Sequence, residues 1–205
     1  VAERDWRFIA GTFPLVGGLT ATRSAGETAA GVDHYRHRPT VGTRAALSWG
    51  AGGPPNGLAR DLRPDEVLGP TYTSDPLATA VEILGVPEVV LHLSASAPVA
   101  TAVVRLSDVA PDGTSAQVTA GILNLTHRAS HTAPAALVPG RLEEVRVTLR
   151  PAGYRFLPGH RIRVSVASAA WPVIWPSTSA KSGSERRCCR SACSARLPLP
   201  PIANA

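Results

Sequence analysis

Glu144-Val145-Arg146-Val147-Thr148-Leu149-Arg150 alternates strictly between polar and apolar residues. Successive side chains of a strand point to opposite faces, so Val145, Val147 and Leu149 share one face, and Glu144, Arg146, Thr148 and Arg150 the other. The same period recurs around it. Arg161 to Val166 places Ile162, Val164 and Val166 inward and Arg161, Arg163 and Ser165 outward. Val89, Leu91, Leu93 and Ala95 form one face of a third segment, and Ala102–Leu106 and Val118–Leu125 are further strand candidates. Pro111-Asp112-Gly113, Pro139-Gly140 and Pro158-Gly159 separate these segments. Proline presets the φ of a turn's second residue, and glycine accepts a positive φ. A strand with one apolar face must bury it, and two antiparallel sheets packed face to face bury both sets. The expected fold class is an all-β sandwich or barrel.

Two stretches break the pattern. Gly50-Ala51-Gly52-Gly53-Pro54-Pro55-Asn56-Gly57 sustains neither ladder nor helix, so a long irregular loop is expected from about Thr40 to Pro76. Loops of that length inside a compact domain are functional or covered by a neighbour. Residues 177–205 turn to Ser, Arg and Cys and then to Leu197-Pro198-Leu199-Pro200-Pro201, with no periodicity left. The expected organisation is a sandwich over 1–176 and a disordered tail over 177–205.

The 205 residues carry a formal charge of +6, which invites a nucleic-acid reading. The distribution argues against it. Lys181, Arg186, Arg187, Arg190 and Arg196 face only Glu185 in the tail, and the rest of the chain is close to neutral. No run of about 18 apolar residues occurs, so no membrane-spanning helix is expected. No signal peptide is visible, which favours a cytoplasmic over a secreted protein.

Several blocks, in order, resemble one family. They are Tyr72-Thr73-Ser74-Asp75-Pro76-Leu77, Arg105-Leu106-Ser107-Asp108-Val109-Ala110-Pro111-Asp112-Gly113-Thr114-Ser115 and Gly121-Ile122-Leu123-Asn124-Leu125-Thr126-His127-Arg128. Leu137-Val138-Pro139-Gly140, Tyr154-Arg155-Phe156-Leu157-Pro158-Gly159-His160-Arg161-Ile162-Arg163 and Ser168-Ala169-Ala170-Trp171-Pro172 follow, ending at Trp175-Pro176-Ser177. The run is similar to the C-terminal domain of X-Pro dipeptidyl-peptidases and cocaine esterases, serine hydrolases of the CocE/NonD type. The resemblance is continuous from 72 to 177 and fainter from 6 to 68. It implies a jelly-roll β-sandwich like the galactose-binding domains. It also implies a partner, an α/β-hydrolase catalytic domain in the same polypeptide that cleaves acyl esters or X-Pro amides with a Ser-His-Asp triad. No hydrolase domain precedes Val1 in this sequence, and where the family continues into a final strand the chain gives Arg186-Arg187-Cys188-Cys189-Arg190.

The chemistry of the chain itself points the same way. No G-x-S-x-G, the strand–helix elbow that exposes a nucleophilic serine, occurs anywhere in the sequence. No catalytic residue, cofactor or metal ligand is expected. His34 and His37 beside Asp33 read as a polar strand edge rather than a zinc site, which would need three or four ligands. His92 is expected solvated or at an interface. Asp108 and Asp112 flank a turn, where they cap it, pair with Arg105 or Arg128, or bind calcium; the structural role is preferred. Asp108, Asp112, Gly113, Gly159 and His160 are expected as structural turn residues, and Cys188, Cys189 and Cys193 match no disulfide or zinc spacing. Proline holds the residue before it extended, so Trp171 and Trp175 are each restricted by the following proline. Those two and Tyr72 are the candidates to face the hydrolase domain or its cleft. The function expected is that of an accessory domain shaping and closing that cleft. A free-standing carbohydrate-binding sandwich and an inactive gene fragment are the alternatives, and neither nucleic acid nor membrane is expected as a partner.

Overall fold

A computed structural model describes the side chains of residues 33–45 and 58–174, and the backbone alone of the strand residues outside them. Its strands are β1 Asp5–Ala10, β2 Phe13–Leu15, β3 Leu19–Arg23, β4 Gly31–Arg36, β5 Thr71–Ser74, β6 Val81–Gly85 and β7 Glu88–Ala95. They continue with β8 Thr101–Val109, β9 Ser115–Asn124, β10 Glu143–Thr148, β11 Ala152–Phe156, β12 Arg161–Ala167 and β13 Cys193–Arg196; one short helix, α1, spans Arg63–Glu66. Strand pairing is antiparallel throughout. One sheet runs β10-β7-β1-β4 with β13 also along β7, a second runs β2-β3-β5-β12-β8-β9, and β11 and β6 form a ribbon.

The alternating segments supply the core as expected. Val89, Leu91 and Leu93 of β7 and Val145 and Val147 of β10 meet Ala102, Val104 and Leu106 of β8 and Ile162, Val164 and Val166 of β12, all at most 3% exposed. The ribbon adds Ile83 and Phe156, and this apolar layer between the sheets is the sandwich core. At about 25 cal/mol per Å² of apolar surface removed from water, it is the main stabilising term.

Three features depart from the expected pattern. The irregular excursion ends at Pro70: Thr71–Ser74 is a strand inside the second sheet, between β3 and β12, where β-branched and aromatic residues suit the pleat. The predicted strand 118–125 instead starts at Ser115 and stops at Asn124, whose side chain accepts from the Thr126 N–H and turns the chain into a 3-10 turn. Of the tail, residues 193–196 pair with β7. The rest of the tail, with Trp175, Cys188 and Cys189, lies outside the described residues, as does the Gly50–Gly57 run.

The outward face of β8, in the second sheet, is also covered. Every residue of β8 from Ala102 to Val109 is buried, on both faces. Two flaps of the excursion do this. Ala59–Leu62 extends the sheet edge, with Gln117 N–H donating to Ala59 O and Leu62 N–H to Ser115 O, before α1 turns inward. Val41 packs with Val103, Ala167, Ala169 and Ala170 in a second small core. Gly42 makes that contact possible. Its φ is +101°, and a Cβ there would lie 2.1 Å from the Trp171 carbonyl oxygen.

Candidate interdomain face

Beneath the excursion lies a buried polar layer built on two adjacent acids. Pro64 lies in the first turn of α1, and the next two residues, Asp65 and Glu66, point into the protein, 2% and 5% exposed. The Asp65 carboxylate accepts the N–H groups of Gly42 and Ala45 at 2.9 and 2.7 Å, tying one flap to the other. Glu66 Oε1 accepts the hydroxyls of Ser107 and Ser115, and Oε2 accepts from Arg163 Nη1 at 2.7 Å. Arg105 lies in the same layer, 3% exposed. Burial lowers its pKa, against the pull of Asp65 and Glu66. Its Nη2 has no hydrogen-bond partner, and neither has the Oγ of Ser165 across the ladder. Ser107 and Ser115 are fully buried and donate to a carboxylate, so neither can present an oxygen to a substrate. This layer does holding work rather than chemistry.

A cleft of about 460 Å³ opens beside it, between Asp33–Arg38 of the first sheet and Glu66–Thr71 of the excursion. Its acids are turned inward, because Asp33 accepts from the Tyr72 hydroxyl at 3.2 Å and Glu66 holds Arg163. His34, Arg36 and Arg38 are exposed at its mouth. Val67 stands 75% exposed on the rim. His37 Nδ1 lies 2.5 Å from Ser168 Oγ, and the Ser168 N–H and Oγ donate to the Tyr35 hydroxyl, which fastens the start of the excursion to the end of β12.

The residues singled out from sequence fall in three places. Trp171 is half-buried and its N–H donates to Val41 O, so it stands next to the turn that follows Arg38. Tyr72, expected to face a neighbouring domain, is instead a core residue, 1% exposed, because β5 is an interior strand. The turn residues cluster at the opposite end of β12. Gly113 and Gly159 have φ of +85° and +80°, and Asp112 accepts the Thr114 N–H at 2.9 Å, an interaction that holds its carboxyl below the usual range. Asp108 pairs with neither Arg105 nor Arg128; it accepts from the Tyr154 hydroxyl at 2.9 Å and lies 2.9 Å from His160 Nδ1. Burial, then the bond to Asp108, pushes the Tyr154 phenol up to about 12. His92 is 34% exposed at the side chain and 3.8 Å from Glu144. Among the described residues no three His, Cys, Asp or Glu side chains converge, and no helix is long and apolar enough to cross a membrane.

Comparison with known proteins places this arrangement. The model of the X-Pro dipeptidyl-peptidase C-terminal non-catalytic domain matches residues 10–187. The cocaine esterase of Rhodococcus sp. is 31% identical over 165 residues, 76% of this chain and 27% of that enzyme. A Mycobacterium bovis protein bearing a serine esterase name is 33% identical over 163 residues, 68% of this chain and 25% of that protein. The crystal structure of an aminopeptidase from a marine sediment Thaumarchaeota archaeon shares the fold, with a TM-score of 0.62 at 24% identity over 82% of this chain and 30% of that one. The chain therefore spans about a quarter of the length of the curated relatives it matches. With a family match that covers most of its length, the chain belongs to the family of X-Pro dipeptidyl-peptidase C-terminal non-catalytic domains.

Proposed function

We propose that this chain serves as the accessory domain of an α/β serine hydrolase acting on X-Pro peptides or acyl esters, packing against the catalytic domain of the same polypeptide and closing one side of its cleft. The observation that carries the reading is the match of residues 10–187 to a non-catalytic domain, in relatives three-quarters of whose length lies elsewhere. In this reading residues 1–176 are the sandwich and 177–205 an appended tail. Trp171, half-buried at the excursion's edge, is the residue offered to the catalytic domain. Asp108, Asp112, Gly113, Gly159 and His160 hold the turns at the far end. The buried acids fit the role, since a domain that shapes a cleft has to present a rigid edge, and Asp65 and Glu66 fix an irregular segment that has little secondary structure of its own. The test is to assay the chain with a chromogenic X-Pro substrate and a p-nitrophenyl acyl ester, beside a serine-reactive fluorophosphonate. No turnover and no labelling are expected. Turnover with labelling of a single serine would overturn the reading.

A further inference from the structure

We infer that the cleft between Asp33–Arg38 and Glu66–Thr71 is the seat of the preceding catalytic domain, an inference that rests on the accessory-domain reading. Chain geometry is the first argument. Strand β1 runs antiparallel to β4 with Asp5 opposite Arg36, so in a longer polypeptide the residues before β1 reach this domain beside Arg36, at the cleft's mouth. A domain joined there by a short connection is confined to that side, at high effective concentration.

Electrostatics is the second. Asp33 and Glu66, the acids among the lining residues, are 3% and 5% exposed and engaged inside the protein. Arg38 lies outside, exposed, so the cleft presents a guanidinium beside an apolar rim. The occupant it fits is a carboxylate-bearing surface with an apolar group to cover Val67, which is 75% exposed. Guanidinium pairs well with carboxylate in such a half-dry setting.

Continuity is the third. The turn after Arg38 runs directly to Val41 and Gly42, which pack on the half-exposed Trp171. Arg38, the turn and Trp171 thus form one strip along the same edge. The next most exposed aliphatic among the described residues, Leu84 at 70%, sits on the β6–β11 ribbon, where Glu82 and Arg155 already pair. That face serves as the control.

The experiment replaces the matched stretch of the Rhodococcus cocaine esterase with this chain and maps side-chain oxidation by hydroxyl radicals in the chimera and in the chain alone. Oxidation of His34, Val67 and Leu68 is expected to fall several-fold in the chimera while that of Leu84 is unchanged. Arg38→Glu and Val67→Asp are expected to lower the thermal midpoint of the chimera's esterase activity without lowering the thermal unfolding midpoint of the isolated chain, because both side chains are exposed. An active chimera protected elsewhere, with both variants silent, would overturn the cleft as the seat and leave the accessory-domain reading standing. A chimera with no esterase activity and no protection anywhere would overturn both.

Discussion

Glu66→Ala removes one acceptor that two buried hydroxyls and the half-buried Arg163 share. Arg163 Nη1 loses a partner at 2.7 Å, and the Ser107 and Ser115 hydroxyls lose theirs at 3.1 and 2.9 Å. The Glu66 side chain is 3% exposed and that of Arg163 17%, so water does not readily take the acceptor's place. Breaking a buried ion pair from one side costs about 3–5 kcal/mol, and the stranded Ser115 hydroxyl pushes toward the upper end, while Ser107 Oγ keeps the Arg163 carbonyl at 3.5 Å. For a chain of this size each kcal/mol moves the midpoint by about 2–4 °C, so Tm is expected to fall by roughly 6–20 °C. Thermal unfolding followed by circular dichroism reads this directly. A cycle with Arg163→Met isolates the pair, because removing both charges avoids the stranded guanidinium; the double variant is expected to be more stable than the sum of the single losses predicts. A shift of less than about 2 °C for Glu66→Ala, with additive losses in the cycle, would refute the view that this carboxylate latches the excursion to the sheet.

Gly42→Ala forces a Cβ onto the Trp171 carbonyl at 2.1 Å, at a φ of +101°, whereas Gly140→Ala at φ +77° meets nothing within 4 Å. Denaturant titration should show a loss of about 1–2 kcal/mol for the second, from backbone strain alone, and a clearly larger one for the first. Tyr154 has its folded pKa raised to about 12, so its contribution is complete below the unfolded value of about 10 and is lost as pH rises through that window. After solvent screening this is on the order of 1 kcal/mol, and Tyr154→Phe should remove that alkaline limb from a stability-against-pH curve. Asp61 is held below its ordinary pKa by its hydrogen bonds to Arg63, so its contribution is present above the unfolded value of about 3.9 and is lost as pH falls through the lower folded value. Asp61→Asn should flatten that part of the acid limb of the same curve.

The sandwich was legible because its signal is local. Period-two alternation in Glu144–Arg150, Arg161–Val166 and Val89–Ala95 names the inward faces without knowledge of any partner strand. What alternation does not report is the far side of a sheet. Arg163 and Ser165 read as outward, yet Ser165 is buried and Arg163 is held by Glu66 of the excursion, because a covering loop has no periodicity of its own. The signal available was the pair Asp65-Glu66 set among Leu62, Val67 and Leu68, two acids in an apolar context that need hydrogen-bond donors inside the protein. Tyr72 shows the converse. Its motif was recognised, but a four-residue strand is too short to declare whether it lies inside a sheet or at an edge, and burial followed from its neighbours β3 and β12. The cleft joins residues about thirty positions apart, held across by the Tyr72 hydroxyl on Asp33, a contact that no single segment encodes.

The most direct measurement of the account is the esterase turnover of the Rhodococcus relative in two forms, one truncated of the stretch that matches this chain and one carrying this chain in its place. The account predicts that the truncated form loses kcat/KM and thermal half-life, and that this chain restores a substantial part of both. Equal turnover and half-life in the two forms would contradict it.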